Sequence, residues 1–200
     1  MKFTNNNVFD PSKHEIEASK CLAERKKNMP PIILDIRTQD DYKDSHLIGA
    51  YSFPAEFLKN NMKQIPPYAQ VILYADGNDG ETAEHVKLLV DNKFTDVSYV
   101  KGGLEALLTT LRESKDEVIL SEVPEDQWSG KIEEVLNEKI RPTLAADGGG
   151  LQVVKIEKDQ VHIHYEGACR GCASAATGTL NFIRNTLSTS LNHDIEVVMA

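Results

Sequence analysis

Two of the three cysteines in the chain stand three positions apart, in Gly167-Ala168-Cys169-Arg170-Gly171-Cys172. A C-x-x-C pair brings two soft thiolates within reach of one metal, or of each other. The pattern therefore serves metal or cluster ligation, dithiol redox chemistry, or plain structure. Two elements must position it. Before it, Val161, Ile163 and Tyr165 alternate as in a half-buried strand. After it, Leu180, Ile183, Leu187 and Leu191 recur at helical spacing, so a helix is predicted to begin between Ala173 and Ala176. Gly167 and Gly171 let the backbone turn between the two. The pair thus falls in a short loop at a helix N-terminus, where unpaired N–H groups and the helix dipole favour anions such as thiolates.

Two cysteines are too few for a closed site. Structural zinc and cubane iron–sulfur clusters each take four protein ligands. No second C-x-x-C occurs, and Cys21 is distant in sequence. A two-fold homodimer solves the shortage, because each subunit then supplies two sulfurs at the axis.

The motif Arg141-Pro142-Thr143-Leu144-Ala145-Ala146-Asp147-Gly148-Gly149 comes first, followed by Gly167-Ala168-Cys169-Arg170-Gly171-Cys172-Ala173-Ser174. Together they closely resemble the NifU C-terminal-like (Nfu-type) iron–sulfur domain, from about residue 129 to 200. The resemblance implies a small α+β domain holding a labile [4Fe–4S] cluster at a subunit interface, through Cys169 and Cys172. It also implies receipt of the cluster from a donor and transfer to apoproteins. The family often has proline after the second cysteine. Ala173 stands here instead, which leaves both ligands in place.

Composition sets the frame. In 200 residues, 40% are hydrophobic and 26% charged, as in soluble globular proteins. The net charge of −9 argues against broad nucleic-acid binding. It is unevenly placed: residues 1–115 carry 15 Lys/Arg against 17 Asp/Glu, while residues 116–200 carry 7 against 14. Five of those acids fall between Asp116 and Asp126. The first ten residues lack the apolar core of a leader, and no run approaches the ~20 residues that span a bilayer. Three cysteines do not make a disulfide framework, so the expected setting is the reducing cytoplasm, without membrane or nucleic-acid partners.

The first half alternates strands and helices. A weakly amphipathic helix is predicted over residues 11–27, with Cys21 as a small buried hydrophobe, and Pro30-Pro31 stops it. Apolar runs at Ile32–Asp35, Val71–Tyr74 and Val97–Val100 read as strands covered on both faces. Helical stripes follow at Ala83, Val86, Leu89 and Val90, then at Leu104, Leu107, Leu108 and Leu111. That alternation predicts an α/β domain with a parallel sheet.

Here Asp35-Ile36-Arg37-Thr38, Ser45-His46-Leu47-Ile48-Gly49-Ala50, Phe53-Pro54 and Lys101-Gly102-Gly103-Leu104-Glu105-Ala106-Leu107 look like a rhodanese domain. Ser45 replaces the usual glycine, and His46 is read as a loop residue tied to backbone. The resemblance implies a persulfide-forming cysteine directly after the strand Val71–Tyr74. Ala75 occupies that place, residues 22–168 contain no cysteine, and Asp76, Asp79 and Glu81 would repel thiosulfate. The expectation is a catalytically inactive domain that docks a cluster donor or client. The acidic loop lacks calcium-loop spacing, since Gly80 falls at the third ligand slot. His85 is read as a surface residue.

The expected division is a rhodanese-like domain over 1–112, an acidic linker over 113–128 and the cluster domain over 129–200. In the last, Ser129 is the candidate N-cap of a helix with Ile132, Val135, Leu136 and Ile140 on one face. Pro142 should bend or restart that helix, and Asp147-Gly148-Gly149-Gly150 should end it. A hairpin around Lys158-Asp159 and a strand over Ile195–Met199 complete the domain. His162 and His164 share the strand face opposite the apolar one, which reads as solvent-facing. The chain is thus expected to be a non-enzymatic carrier of a [4Fe–4S] cluster. A thiol-disulfide oxidoreductase and a zinc-bridged interaction protein are the other readings.

Overall fold

Residues 9–27, 29–168 and 173–200 are described by the computed structural model. Cys169, Arg170, Gly171 and Cys172 lie outside the described residues. The chain divides into two units, Met1–Glu113 and Ser114–Ala200.

In the first unit, β1 (Glu15–Ile16), β2 (Ile32–Asp35), β3 (Tyr51–Ser52), β4 (Val71–Tyr74) and β5 (Val97–Val100) form one sheet. Its order is β1-β5-β4-β2-β3, with every pairing parallel. All four residues of β4, at its centre, are buried, as are those of β5. That explains their mostly apolar composition, broken by Ser98 alone: a parallel strand covered on both faces has no solvent side to alternate with. The helices are α1 (Ala18–Arg25), α2 (Gln39–Asp44), α3 (Ala55–Asn61), α4 (Asp79–Asp91) and α5 (Gly103–Glu113). The stripes Ala83, Val86, Leu89 and Leu104, Leu107, Leu111 are buried as their spacing required. Helix α1 packs on α5, and α3 on α4.

The N-terminal helix is shorter than its sequence pattern suggested. A 3-10 turn over Pro11–Lys13, capped by Asp10, is followed by β1, and α1 begins only at Ala18. Sheet pairing overrides the helical pattern there: Tyr99 N–H donates to His14 O at 2.8 Å and Lys101 N–H to Ile16 O at 3.0 Å.

In the second unit, α6 (Trp128–Val135), a π-helical turn (Leu136–Ile140) and α7 (Arg141–Ala146) run on from one another. The wide turn sits directly before Pro142, whose ring removes one N–H and crowds the carbonyl a turn earlier. Strands β6 (Gly149–Glu157) and β7 (Gln160–Gly167) form the hairpin, and β8 (Glu196–Met199) pairs parallel to β7. Helix α8 (Ala173–Leu191) connects β7 to β8. Ile132, Leu136, Ile140, Val161, Ile163, Ile183 and Leu187 build the core.

Two further expectations need correction. Residues 113–128 are not a loose linker throughout: Leu120 is fully buried in this core, Val118 packs against it, and Asn192 Nδ2 donates to Val118 O at 3.0 Å. Ser129 is not the N-cap of α6. A 3-10 turn over Glu125–Gln127 leads straight into Trp128, whose Nε1 donates to Val123 O at 2.9 Å.

Candidate functional site

Strand β7 ends at Gly167 and α8 begins at Ala173, so the C-x-x-C pair occupies the join between them. The backbone bordering the join is tightly held. Gly149 pairs with Gly167 across the hairpin, and Ala168 N–H donates to Gly148 O at 3.0 Å. The Asp-Gly-Gly turn that ends α7 therefore lies against the residue preceding Cys169.

Gly148 (φ 71°) and Gly167 (φ 59°) are both left-handed. A Cβ on Gly167 would sit 2.5 Å from Gly148 O, so only glycine lets the two backbones approach this closely. Gly167→Ala is expected to destabilise the second unit by about 2–3 kcal/mol, combining the left-handed cost with the clash. Denaturant unfolding monitored at Trp128 measures it.

Arg141 of the R-P-x-L motif is engaged within the helical segment that carries it. Its Nη1 lies 2.7 Å from both Glu133 Oε2 and Asn137 Oδ1, bracing α6 and the π turn. His162 Nε2 contacts Gln160 Oε1 at 3.0 Å on the outer sheet face, and His164 is exposed. Among the described residues no three His, Cys, Asp or Glu side chains converge on a metal-sized site.

Cys21 is fully buried in the first unit, and burial pushes its thiol up to about 12, against a smaller opposing effect of Arg25. The acid form is the one the fold favours. Its contribution to stability is therefore complete below the ordinary thiol value and is lost as pH rises through about 9 toward 12. Iodoacetamide at pH 8 is expected to leave Cys21 unmodified in the native protein and to label it on unfolding, as read by peptide mass mapping.

The first unit has a cleft of about 420 Å³ at the C-terminal end of β4. Ala75 lies in its wall, with Arg37, Asp41, Glu56, Asp76, Glu81 and His85 around it. Asn78 caps α4 by accepting from Glu81 N–H at 3.4 Å, and Asp79 Oδ1 accepts from Gly102 N–H at 3.0 Å.

Arg37 donates to buried Asp35 through Nε at 3.0 Å and Nη2 at 2.6 Å, and to Ser45 O at 2.6 Å. Burial works against the Arg37 charge, but the hydrogen bonds and charge of Asp35 outweigh it and raise the pKa. Tyr74 is held well above the usual phenol value, first by burial and then by Asp35. Its hydroxyl accepts from Leu47 N–H at 3.1 Å. His46 is tied to backbone as expected, with Nδ1 2.9 Å from Tyr42 O and its ring stacked on Tyr42. The sequence did not reveal the Asp35–Arg37 pair; an acid ending a buried strand, two positions before an arginine, is the signal that finds it.

Residues 18–110 match the family model for the rhodanese-like domain, and residues 132–198 match that for the NifU-like domain. The chain carries a rhodanese-like domain followed by a NifU-like domain. The nitrogen fixation protein NifU of Cereibacter sphaeroides is 42% identical over 67 residues, covering 34% of this chain and 26% of that one. The mitochondrial iron-sulfur cluster scaffold homolog of Drosophila grimshawi is 32% identical over 81 residues, covering 40% and 26%. A solved rhodanese-like domain from Anabaena sp. is 34% identical, covering 40% of this chain and 91% of that one, with a TM-score of 0.38. The chain spans well under two thirds of the length of these two curated relatives. No helix among the described residues is long and apolar enough to cross a membrane.

Proposed function

We propose that the chain is an iron–sulfur cluster carrier, in which Cys169 and Cys172 from two copies together hold one [4Fe–4S] cluster and release it to apoproteins. The observation that carries this reading is the place of the C-x-x-C pair: it holds every cysteine of the NifU-like domain, at the join of β7 and α8. Cys21, buried and protonated, is unsuited to ligation. Two thiolates per copy suit a shared, exposed and therefore transferable cargo better than a closed structural site. The N-terminal end of α8 and the adjacent Arg170 favour the negative charge of a thiolate-bound cluster.

The rhodanese-like domain serves here as a docking module for a cluster donor or client, not as a sulfurtransferase. Ala75 cannot carry a persulfide, and the acids of the cleft oppose thiosulfate.

Anaerobic reconstitution with iron and sulfide, followed by absorption and gel filtration, tests the proposal. A brown dimer with about four irons per two chains is expected, reverting toward monomer on chelation. A colourless monomer that takes up no iron overturns it, and zinc found by metal analysis would point to a bridged interaction protein instead.

A further inference from the structure

Helix α8 has nineteen residues and one charged side chain, Arg184. The neighbouring α6 and π turn carry five charged residues in thirteen, as solvated helices commonly do. Burial does not explain the difference. Ile183 and Leu187 face the core, whereas Gly178, Asn181, Phe182 and Asn185 are exposed on the other side. Their spacing of three, four and seven places them on one face. Phe182 is 37% exposed and stands outside the core that Leu180 and Ile183 join. The site of Gly178 is open, since a Cβ there would meet nothing within 4 Å. At 1.5 Å per residue, Phe182 lies ~14 Å along the axis from the start of the helix, beside the C-x-x-C join.

We propose that this uncharged face of α8 is the surface on which two copies of the chain meet when they share the cluster. The inference rests on the carrier reading above and adds the surface. A cluster with two ligands from each copy is incomplete without the second, so the elements flanking the ligands must approach their own symmetry mates. Residues 116–200 carry 7 Lys/Arg against 14 Asp/Glu, so two copies of this region repel each other through their net charge. The α8 face escapes that repulsion. It presents no like charge across the two-fold axis, its glycine allows close approach, and its aromatic residue supplies apolar area of the kind enriched in interface cores. Asn181 and Asn185 can pair with themselves or each other across the axis.

The test uses the full chain, reconstituted with iron and sulfide and measured by sedimentation together with iron content. Asn181→Glu/Asn185→Glu places four carboxylates near the axis and replaces asparagines with better helix formers, so the apo protein is expected to keep its helical circular dichroism spectrum. The dissociation constant of the loaded dimer is expected to rise at least about tenfold, with cluster content falling in parallel. Mixing it in equal amounts with Asn181→Lys/Asn185→Lys is expected to restore a loaded dimer, because opposite charges then face each other. A Glu variant that loads and dimerises as the wild type does overturns the surface and leaves the carrier reading standing. A Glu variant that is weakened but not rescued by the Lys variant also overturns it. A wild-type chain that stays monomeric and iron-free overturns both.

Discussion

Replacing Cys172 with alanine is expected to abolish cluster loading while the apo protein keeps its fold. In the proposed dimer the substitution removes two of four thiolates at once, because symmetry repeats it in each copy. Two remaining sulfurs do not hold a cubane cluster against chelators and water. Val161, Ile163 and Tyr165 of β7 and Ile183, Leu187 and Leu191 of α8 supply core on either side of the pair, so the apo fold is expected to survive the change. Cys169→Ala is expected to behave identically. Cys21→Ala should do the reverse: full loading, with about 1 kcal/mol of stability lost to the cavity it leaves. Iron per chain, visible absorption and the apo unfolding midpoint, measured on the three variants together, give the pattern. Stable loading of the Cys172→Ala protein would sink the shared-cluster proposal.

The parts legible from sequence were those where burial dictates composition. Strands β2, β4 and β5 are buried parallel strands, and a mostly apolar run is what satisfies both of their faces, with Asp35 and Ser98 as the buried polar exceptions. The hairpin and its turn were legible because alternation and Lys158-Asp159 agree; Lys158 takes the left-handed conformation, at φ 53°. Strands β1 and β3 were not legible, since two residues carry no period and gain their identity from partners, Tyr99 and Val100 for β1, Leu34 and Asp35 for β3. Leu120 was hidden for a related reason. Asp116, Glu117 and Glu122 flank the run Val118-Ile119-Leu120, which is too short among acids to show a period of its own. Ser129 misled because a favourable capping residue one position inside a helix looks the same as one at its cap.

The candidate site was legible in its chemistry and less so in its support. The C-x-x-C pair is plain in the sequence. The close approach of Gly148 and Gly167 joins residues nineteen positions apart, through a hairpin register that no local pattern prints. The cleft of the rhodanese-like domain shows the same limit. The missing cysteine at Ala75 was readable, but the hold of Ser45 O on Arg37 depends on the end of α2 returning to the end of β2, which no local pattern shows.

Gly103→Ala should cause the largest loss of stability in the rhodanese-like domain. Gly103 is buried at the start of α5, with φ 59°, and a Cβ there would stand 2.1 Å from Ala75 O and 2.6 Å from Gly77 N. Both are backbone atoms of the loop that follows β4, so no side-chain rotation relieves the overlap. The adjacent Leu104 N–H donates to Ala75 O at 2.8 Å, and moving the loop away would break that bond as well.

A left-handed alanine costs about 1 kcal/mol, and an unsatisfied buried backbone group about 1–3 more. A total of about 2–4 kcal/mol follows, a large share of a stability of about 5–15 kcal/mol for a domain of this size. Gly130→Ala in α6 provides the opposite control. Nothing lies within 4 Å of its Cβ position, so the change should stabilise the NifU-like domain by about 0.5–1 kcal/mol through helix propensity. Each unit has its own hydrophobic core. The Gly103→Ala chain is therefore expected to unfold in two calorimetric steps, with the first lowered on the order of 15 °C. Cluster loading below that step should match the wild type. Loss of loading with the NifU-like transition intact would mean that the rhodanese-like domain takes part in cluster binding, a role beyond docking.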